Sequence, residues 1–489
     1  MVSEKQSNLK GWISENIKNK KKKLVELEKL YRRSKNDNLK NQTKQLKHEI
    51  KVQSNCEKKA FFDNKILNSR NKQQSTWRII NSQINNLPKK VNNTVVRHAD
   101  KHFSNPKIVG NILNNFFIDT VENMIIPNLN KATDTVSLMV PDKEFNEFSE
   151  IFKFKEVTQE QVYKLVMEFE NKLSTGIDEI PISVVKNSML FILKPLTHII
   201  NASLISGFFP SKLKTAKVVP VFKKGSSSYD PSSYRPISLL PVFSKIFEKV
   251  VYIQLLDFLE RNKLLDNEQH GFRGGRSTVT AGIKFIESII DSIDRNEHVV
   301  GIFLDLTKAF DSVCHDKLLE KLSTLNIKNK ELSWFNSYLK NRIQYVETSY
   351  TNHFGKYEYV NNYRSNFRII KCGVPQGSIL GPLLFLCYIT GLPSVVPKCG
   401  SICLYADDTN ITISSKNQEG IELDSLITLS CVKEFLDKKH LFLNSSKSNF
   451  ISFSTTQNRS KLQPNIYIDS SQITQVNFSQ FLGIHLDQN

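Results

Sequence analysis

The sequence predicts a mixed α/β (α+β) protein with a basic helical arm at its N-terminus, and three observations carry that prediction. Short apolar runs rich in β-branched residues alternate with segments of helical period from about residue 215 onward. The charge is uneven. Of the 489 residues, the first 100 hold 24 Lys and Arg against 9 Asp and Glu, whereas the remaining 389 hold 43 against 39. Hydrophobic content of 39% and aromatic content of 10% suit a folded chain with a sizeable core.

The elements follow in order. Residues 1 to about 90 read as polar helix, with Leu24, Leu27, Leu30 and Tyr31 at helical spacing and Pro88 as its end. "NPKIVGNILNNFFIDTV" (105–121) reads as a short amphipathic helix, and "QEQVYKLVMEFEN" as another. "STGIDEIP" (174–181) is a turn by its Gly and Pro. Then come a strand at 218–222, a helix from Ser244 to Leu259, a strand at 299–306 and a helix after Lys308. That last helix is inferred from Phe310, Cys314, Leu318 and Leu322 at i, i+4 steps. Two further strands, "ICLYA" and "NITIS", flank an Asp pair.

Bulk properties exclude several classes. Seven cysteines without a CxxC pair read as reduced thiols, and Cys399-x3-Cys403 lacks the second pair that a zinc site needs. The apolar stretch from Ser378 is broken by Gly381, Pro382, Gly391 and Pro393, so it reads as buried core and no membrane partner is expected. A net charge of +19 concentrated in an arm suits a polyanion. A solvated helical face is the plainer reading of the same charges.

The chemistry lies in "FLDLTKAFD" and "SICLYADDTNITIS". Asp305 ends an apolar strand, where a buried carboxylate costs free energy unless it is compensated. Asp407 and Asp408 would point to opposite faces of an extended strand, yet both can approach one point at the tip of a hairpin. Three carboxylates on neighbouring strands could hold two divalent cations and act on phosphorus. An exposed turn is the alternative for the Asp pair alone. Asp311 reads as a structural acid rather than a ligand.

These segments stand in an order that resembles the reverse transcriptases of non-LTR retrotransposons, jockey-like elements in particular. The resemblance runs from about residue 105 to the end, through "NILNNFF", "KLSTGIDEIP", "YRPISLLPVFSKIFEKV", "QHGFRGGRST", "FLDLTKAFD", "WFNSYLKNRIQYV", "GVPQGSILGPLLF", "YADD", "LFLNSSKSNFISF" and "FLGIHLD". It implies a right-hand polymerase with fingers and palm that copies an RNA template into DNA from a DNA primer and deoxynucleoside triphosphates. Residues 1–100 would be a linker arm, 101–205 an extension leading into the fingers, and 206–489 fingers and palm, with a core of about 215–486. The thumb would be largely missing, and an endonuclease would come from an upstream domain or in trans.

By the same resemblance, Asp305, Asp407 and Asp408 bind two Mg²⁺, with Mn²⁺ as a substitute. Lys223, Lys224 and Arg235 grip the triphosphate, an Arg fork suiting phosphate oxygens. Arg273 contacts template or nucleotide, Phe310 crowds a 2′-hydroxyl, and Gln376 and Gly377 shape the nucleotide pocket. Lys447 protonates the pyrophosphate leaving group. Thr390, Gly391, Phe435 and Ser448 depart from the family pattern at positions that concern packing. Nucleus and cytoplasm are the expected compartments. A truncated remnant that only binds nucleic acid is the alternative expectation.

Overall fold

The computed structural model describes residues 13–69, 72, 75–76, 79–80, 93–129, 150–223, 226–354, 357–454 and 462–488. The chain forms two compact units, Met1–Val91 and Asn92–Asn489.

In the first unit two helices, Glu15–Ser34 and Asp37–Leu67, pack against each other. The Ser14 and Asn36 side chains accept hydrogen bonds from first-turn N–H groups, the usual way a helix start is satisfied. Lys35 turns the chain between them at φ 50°. Lys47 pairs with Glu28 at 2.7 Å and Lys20 with Glu49 at 3.4 Å across the helix pair. The expected end at Pro88 lies outside the described residues.

The second unit opens with a ribbon, β1 (Val96–His98) and β2 (Lys101–Phe103). A helix follows over Pro106–Leu129, longer than the 105–121 expected. One sheet has the order β4-β3-β6-β7, built from β3 (Thr215–Phe222), β4 (Tyr234–Leu239), β6 (Arg342–Phe354) and β7 (Tyr357–Arg364), with β8 (Arg368–Ile370) beside β6. In the other sheet, β5 (His298–Leu304) and β10 (Asp408–Ser415) lie at the centre, β9 (Gly400–Tyr405) at one edge, and β11 (Asn449–Phe453) beyond β5.

The near-continuous apolar character of β5 has a direct cause. Val300, Ile302 and Leu304 face the main core, which the helix Gln418–Lys438 covers, while Val299 and Phe303 face a second core with Phe285 of the helix Thr278–Asp294. A strand covered on both faces does not alternate apolar with polar. The stretch after Ser378 forms the helix Leu380–Ile389, whose residues are buried except for the half-buried Pro382. Among the described residues one helix, Ile182–Ser206, has the length and composition to cross a membrane. It packs Val185, Met189, Leu196, Ile200 and Leu204 into the main core.

One sequence expectation is corrected. The helix expected after Lys308 is present but begins only at His315, so Phe310 lies outside it. Lys308 is left-handed at φ 49°, and Asp311 and Ser312 both donate to its carbonyl. The chain folds back there, so that the Phe310 carbonyl receives Val374 N–H at 2.9 Å. Phe310 and Cys314, both half-buried, thus precede the helix, and only Leu318 and Leu322 of the expected series lie on it.

Candidate active site

β9 and β10 form a tight hairpin, and Tyr405 pairs with Asp408 across it. The β10–β5 ladder ends at Thr409 opposite Leu304. The next residues outward are Asp408 on one strand and Asp305 on the other, so antiparallel register alone sets these two acids side by side. Asp407 occupies the turn beside them. Asp305 is fixed by two backbone bonds: its N–H donates to Ser448 Oγ at 3.2 Å, and its carbonyl accepts Asn444 N–H at 2.8 Å.

The electrostatics follow from this crowding. Burial, then the charges of Asp407 and Asp305, push Asp408 up to about 6. Asp407 is raised mainly by burial and further by Asp305, while Arg235 pulls it down. Asp305 thus opposes ionisation of Asp407, and both oppose that of Asp408, as expected of carboxylates in one partly dry site.

A set of cations faces them. Lys447 Nζ lies 3.7 Å from Asp305 Oδ2. Lys223 is held below its ordinary value by burial first, and then by Arg235 and Lys447, so the three positive groups share one region. β3 and β4 bring this about, since Val221 pairs with Arg235 in their ladder and Lys223 follows β3 directly. Lys223 also donates to the Ser232 carbonyl at 2.8 Å. Lys224 lies outside the described residues.

The Gln376 loop closes another side. Gln376 Nε2 donates to both Asp311 oxygens, at 3.0 and 2.9 Å, and Ser238 N–H donates to the Gln376 carbonyl at 2.8 Å. Gly377 has φ 124°, and a Cβ there would sit 2.4 Å from the Ser238 carbonyl oxygen, so only glycine lets this loop lie on β4. Behind Gln376 a cavity of about 50 Å³ is lined by Asp311, Ser238, Gln344 and Arg342 among others. Phe310 stacks on Phe385 at 4.5 Å between centroids and meets Phe272 edge-on at 6.3 Å.

Arg273 is the exception among the expected site residues. Its side chain is 7% exposed, and the guanidinium bonds both Glu260 oxygens at 2.9 and 2.6 Å and donates to the Asp266 carbonyl at 2.6 Å. A fork committed in this way braces the 260–273 segment and has little left for a ligand.

Asp311, read from the sequence as a structural acid rather than a ligand, accepts both Gln376 bonds and stands near Lys308 and Lys223. Sequence reasoning passed over Glu248 entirely. This buried carboxylate accepts Ile379 and Leu380 N–H at 2.6 and 3.4 Å, and so anchors the helix that follows the Gln376 loop. Besides Ser244 four residues earlier, its partners are 131 and 132 residues away, so no local pattern marks its anchoring role.

The donor chemistry suits a hard divalent cation: all three acids offer carboxylate oxygen, and a cation would relieve their mutual repulsion. Among the described residues, however, no three His, Cys, Asp or Glu side chains are gathered in an arrangement that could hold a metal ion.

Residues 221–486 match the family model described as reverse transcriptase (RNA-dependent DNA polymerase). The chain is 30% identical over 342 residues to the probable RNA-directed DNA polymerase from transposon BS of Drosophila melanogaster, an alignment covering 68% of this chain and 36% of that protein. It is 28% identical over 378 residues to the RNA-directed DNA polymerase from mobile element jockey of the same species, covering 76% and 39%. With the jockey polymerase of Drosophila funebris the identity is 27% over 366 residues, covering 73% and 38%. The chain spans less than two-fifths of the length of these curated relatives.

Proposed function

The chain belongs to the reverse transcriptase (RNA-dependent DNA polymerase) family, and from that premise we propose that it copies an RNA template into DNA as the polymerase portion of a non-LTR, jockey-like mobile element. The observation that carries this reading is the β5–β10 register, which sets Asp305 beside Asp408 and opposite Lys223, Arg235 and Lys447. Acids facing cations across a cleft are what nucleotidyl transfer requires, because charge must be balanced on the entering and leaving phosphate oxygens.

Each group has a role in this proposal. The family generally uses divalent metal ions. Asp305, Asp407 and Asp408 would hold two Mg²⁺, or Mn²⁺ in their place, and the bound ions supply charge neutralisation at the reacting phosphate. Lys223 and Arg235, with Lys224, bind the triphosphate. Phe310, held by its stack on Phe385, fills the space a 2′-hydroxyl would need. Gln376 and Gly377 form the nucleotide-facing wall, and Lys447 delivers a proton to the departing pyrophosphate. Arg273 acts indirectly, by bracing the segment that leads to Gln269. The sheet holding β5, β9 and β10 serves as palm and the sheet holding β3, β4 and β6 as fingers. The partners are an RNA template, a DNA primer and deoxynucleoside triphosphates, with an endonuclease supplied upstream or in trans; the sites of action are nucleus and cytoplasm.

The test is extension of oligo(dT) on poly(rA) by the purified chain with dTTP and Mg²⁺, beside a variant carrying Asp407→Ala and Asp408→Ala. Extension that needs metal and disappears in the variant supports the proposal. A folded chain that binds the duplex without extending it overturns the proposal in favour of a nucleic-acid-binding remnant.

A further inference from the structure

Ala406 joins β9 to the Asp pair with φ 56°, a left-handed conformation that a residue with a Cβ adopts at a cost of about 1 kcal/mol. Surrounding structure has to hold it there. The segment Glu268–Gly271 runs along the outer edge of β9 and does so. Leu404 N–H donates to the Glu268 carbonyl at 3.0 Å, and His270 N–H donates to the Leu404 carbonyl at 2.8 Å. One residue further along, the main-chain ladder stops and the Gln269 side chain continues it. Gln269 Oε1 accepts Ala406 N–H at 2.9 Å and Gly271 N–H at 2.8 Å, and its Nε2 donates to the Ala406 carbonyl at 3.4 Å. One carboxamide thus meets both polar groups of Ala406. Gly271 presses on the same residue, since a Cβ there would lie 2.4 Å from Ala406 N. Gln269 is 3% exposed, so water does not compete for these bonds.

We propose that Gln269 is a positioning residue for the carboxylate hairpin: its side-chain amide stands in for a peptide unit, locks Ala406 in the left-handed conformation, and so directs Asp407 and Asp408 toward Asp305. This rests on the reading of those three acids as the reactive, metal-holding centre. Without the amide, Ala406 relaxes to negative φ and the two acids leave the turn in other directions. Burial and sheet pairing elsewhere in the hairpin stay as they are, because Ile402 and Ile411 keep their registered partners.

The experiment compares the full chain with Gln269→Met, which keeps the volume and removes the three hydrogen bonds. Mn²⁺ affinity is measured without nucleic acid or nucleotide, together with kcat and KM for primer extension and the melting temperature. Loss of an outer-shell support of this kind weakens metal binding or activity by about 10–100-fold. The expected result is a loss of that order in both Mn²⁺ affinity and kcat, with KM for primer–template unchanged and a lowered melting temperature that still leaves the variant folded at the assay temperature. Unchanged Mn²⁺ affinity and kcat in a folded variant would overturn the proposal, as would losses that only track the folded fraction. If Gln269→Met does not fold, Gln269→Glu, measured at a pH that leaves the buried acid protonated, keeps the acceptor for both N–H groups and alters only the contact with the Ala406 carbonyl. It should show a smaller loss in the same two quantities, and wild-type values in both would again overturn the proposal. A wild-type chain that binds Mn²⁺ without extending a primer counts against the polymerase reading, while Gln269 is still judged on Mn²⁺ affinity.

Discussion

Gln376 reaches across 65 residues of sequence to bond both oxygens of Asp311, at 3.0 and 2.9 Å, and so ties the loop before the helix Leu380–Ile389 to the turn after β5. Burial pushes the Asp311 carboxyl up to about 6, against the downward pull of Lys308, Gln376 and Lys223. Its folded value thus lies above the ordinary 3.8, and the folded chain holds a proton that the unfolded chain has lost. The stabilisation from that proton is fully present below about 3.8 and is lost as pH rises through about 6. Asp311→Asn removes the titration while keeping a hydrogen-bonding partner for Gln376. The stability of the variant relative to wild type should therefore rise across this window, by at most about 1.4 kcal/mol per pH unit. Denaturant unfolding at a series of pH values measures the difference, and parallel curves would refute it.

The three catalytic candidates predict a pH dependence of activity with a distinct signature. With Asp408 raised to about 6, a proton competes with any cation for the site below that pH. At low Mg²⁺ the rate of primer extension should fall as pH drops through about 6, and higher Mg²⁺ should move that fall to lower pH. A fall that stays at one pH at every Mg²⁺ concentration would mean the titrating group is not a metal ligand.

Glu248 offers a test on stability. Replacing it with Ala leaves the Ile379 and Leu380 N–H groups and the Ser244 hydroxyl without their acceptor, and each unmet buried group costs about 1–3 kcal/mol. Burial holds this carboxyl above its ordinary range, so the charge contributes less than the oxygen atoms do. Glu248→Gln, which keeps an acceptor oxygen, should therefore lose markedly less stability than Glu248→Ala in the same unfolding measurement. Equal losses would show that the negative charge itself is needed.

The parts of this site that were legible in the sequence are those whose cause is local. A strand ending in Asp305, and an Asp pair between two strand-like runs, follow from residue type and spacing over a dozen positions. Illegible were the contacts made by chain return. Gln269 lies 137 residues from Ala406 and Glu248 lies 131 from Ile379, and neither leaves a periodic trace. Arg273 misled for the opposite reason. The resemblance marked its position, but the residue that consumes its fork, Glu260, stands on the preceding helix Val242–Arg261, where nothing in the sequence links the two. The start of the helix after Lys308 was misjudged because an i, i+4 apolar pattern records burial, and both a helix and a folded-back loop can satisfy it.

The basic arm makes the last prediction. Lysines on the helix pair Glu15–Ser34 and Asp37–Leu67 outnumber the acids facing them, and polyanion binding by such a surface is driven by release of condensed counterions. Each phosphate contact adds about −0.9 to the slope of log K against log salt on duplex DNA, or about −0.7 on a single strand. Deleting Met1–Val91, a compact unit by itself, should weaken binding of RNA and DNA and make the slope shallower by the number of contacts the arm supplies. Anisotropy titrations of labelled oligonucleotides at several salt concentrations measure both quantities. Weaker binding with an unchanged slope would mean that the arm acts through the rest of the chain and not through phosphates. An unchanged affinity and slope would leave its lysines as a solvated face, and the polyanion contact would then belong to residues 92–489.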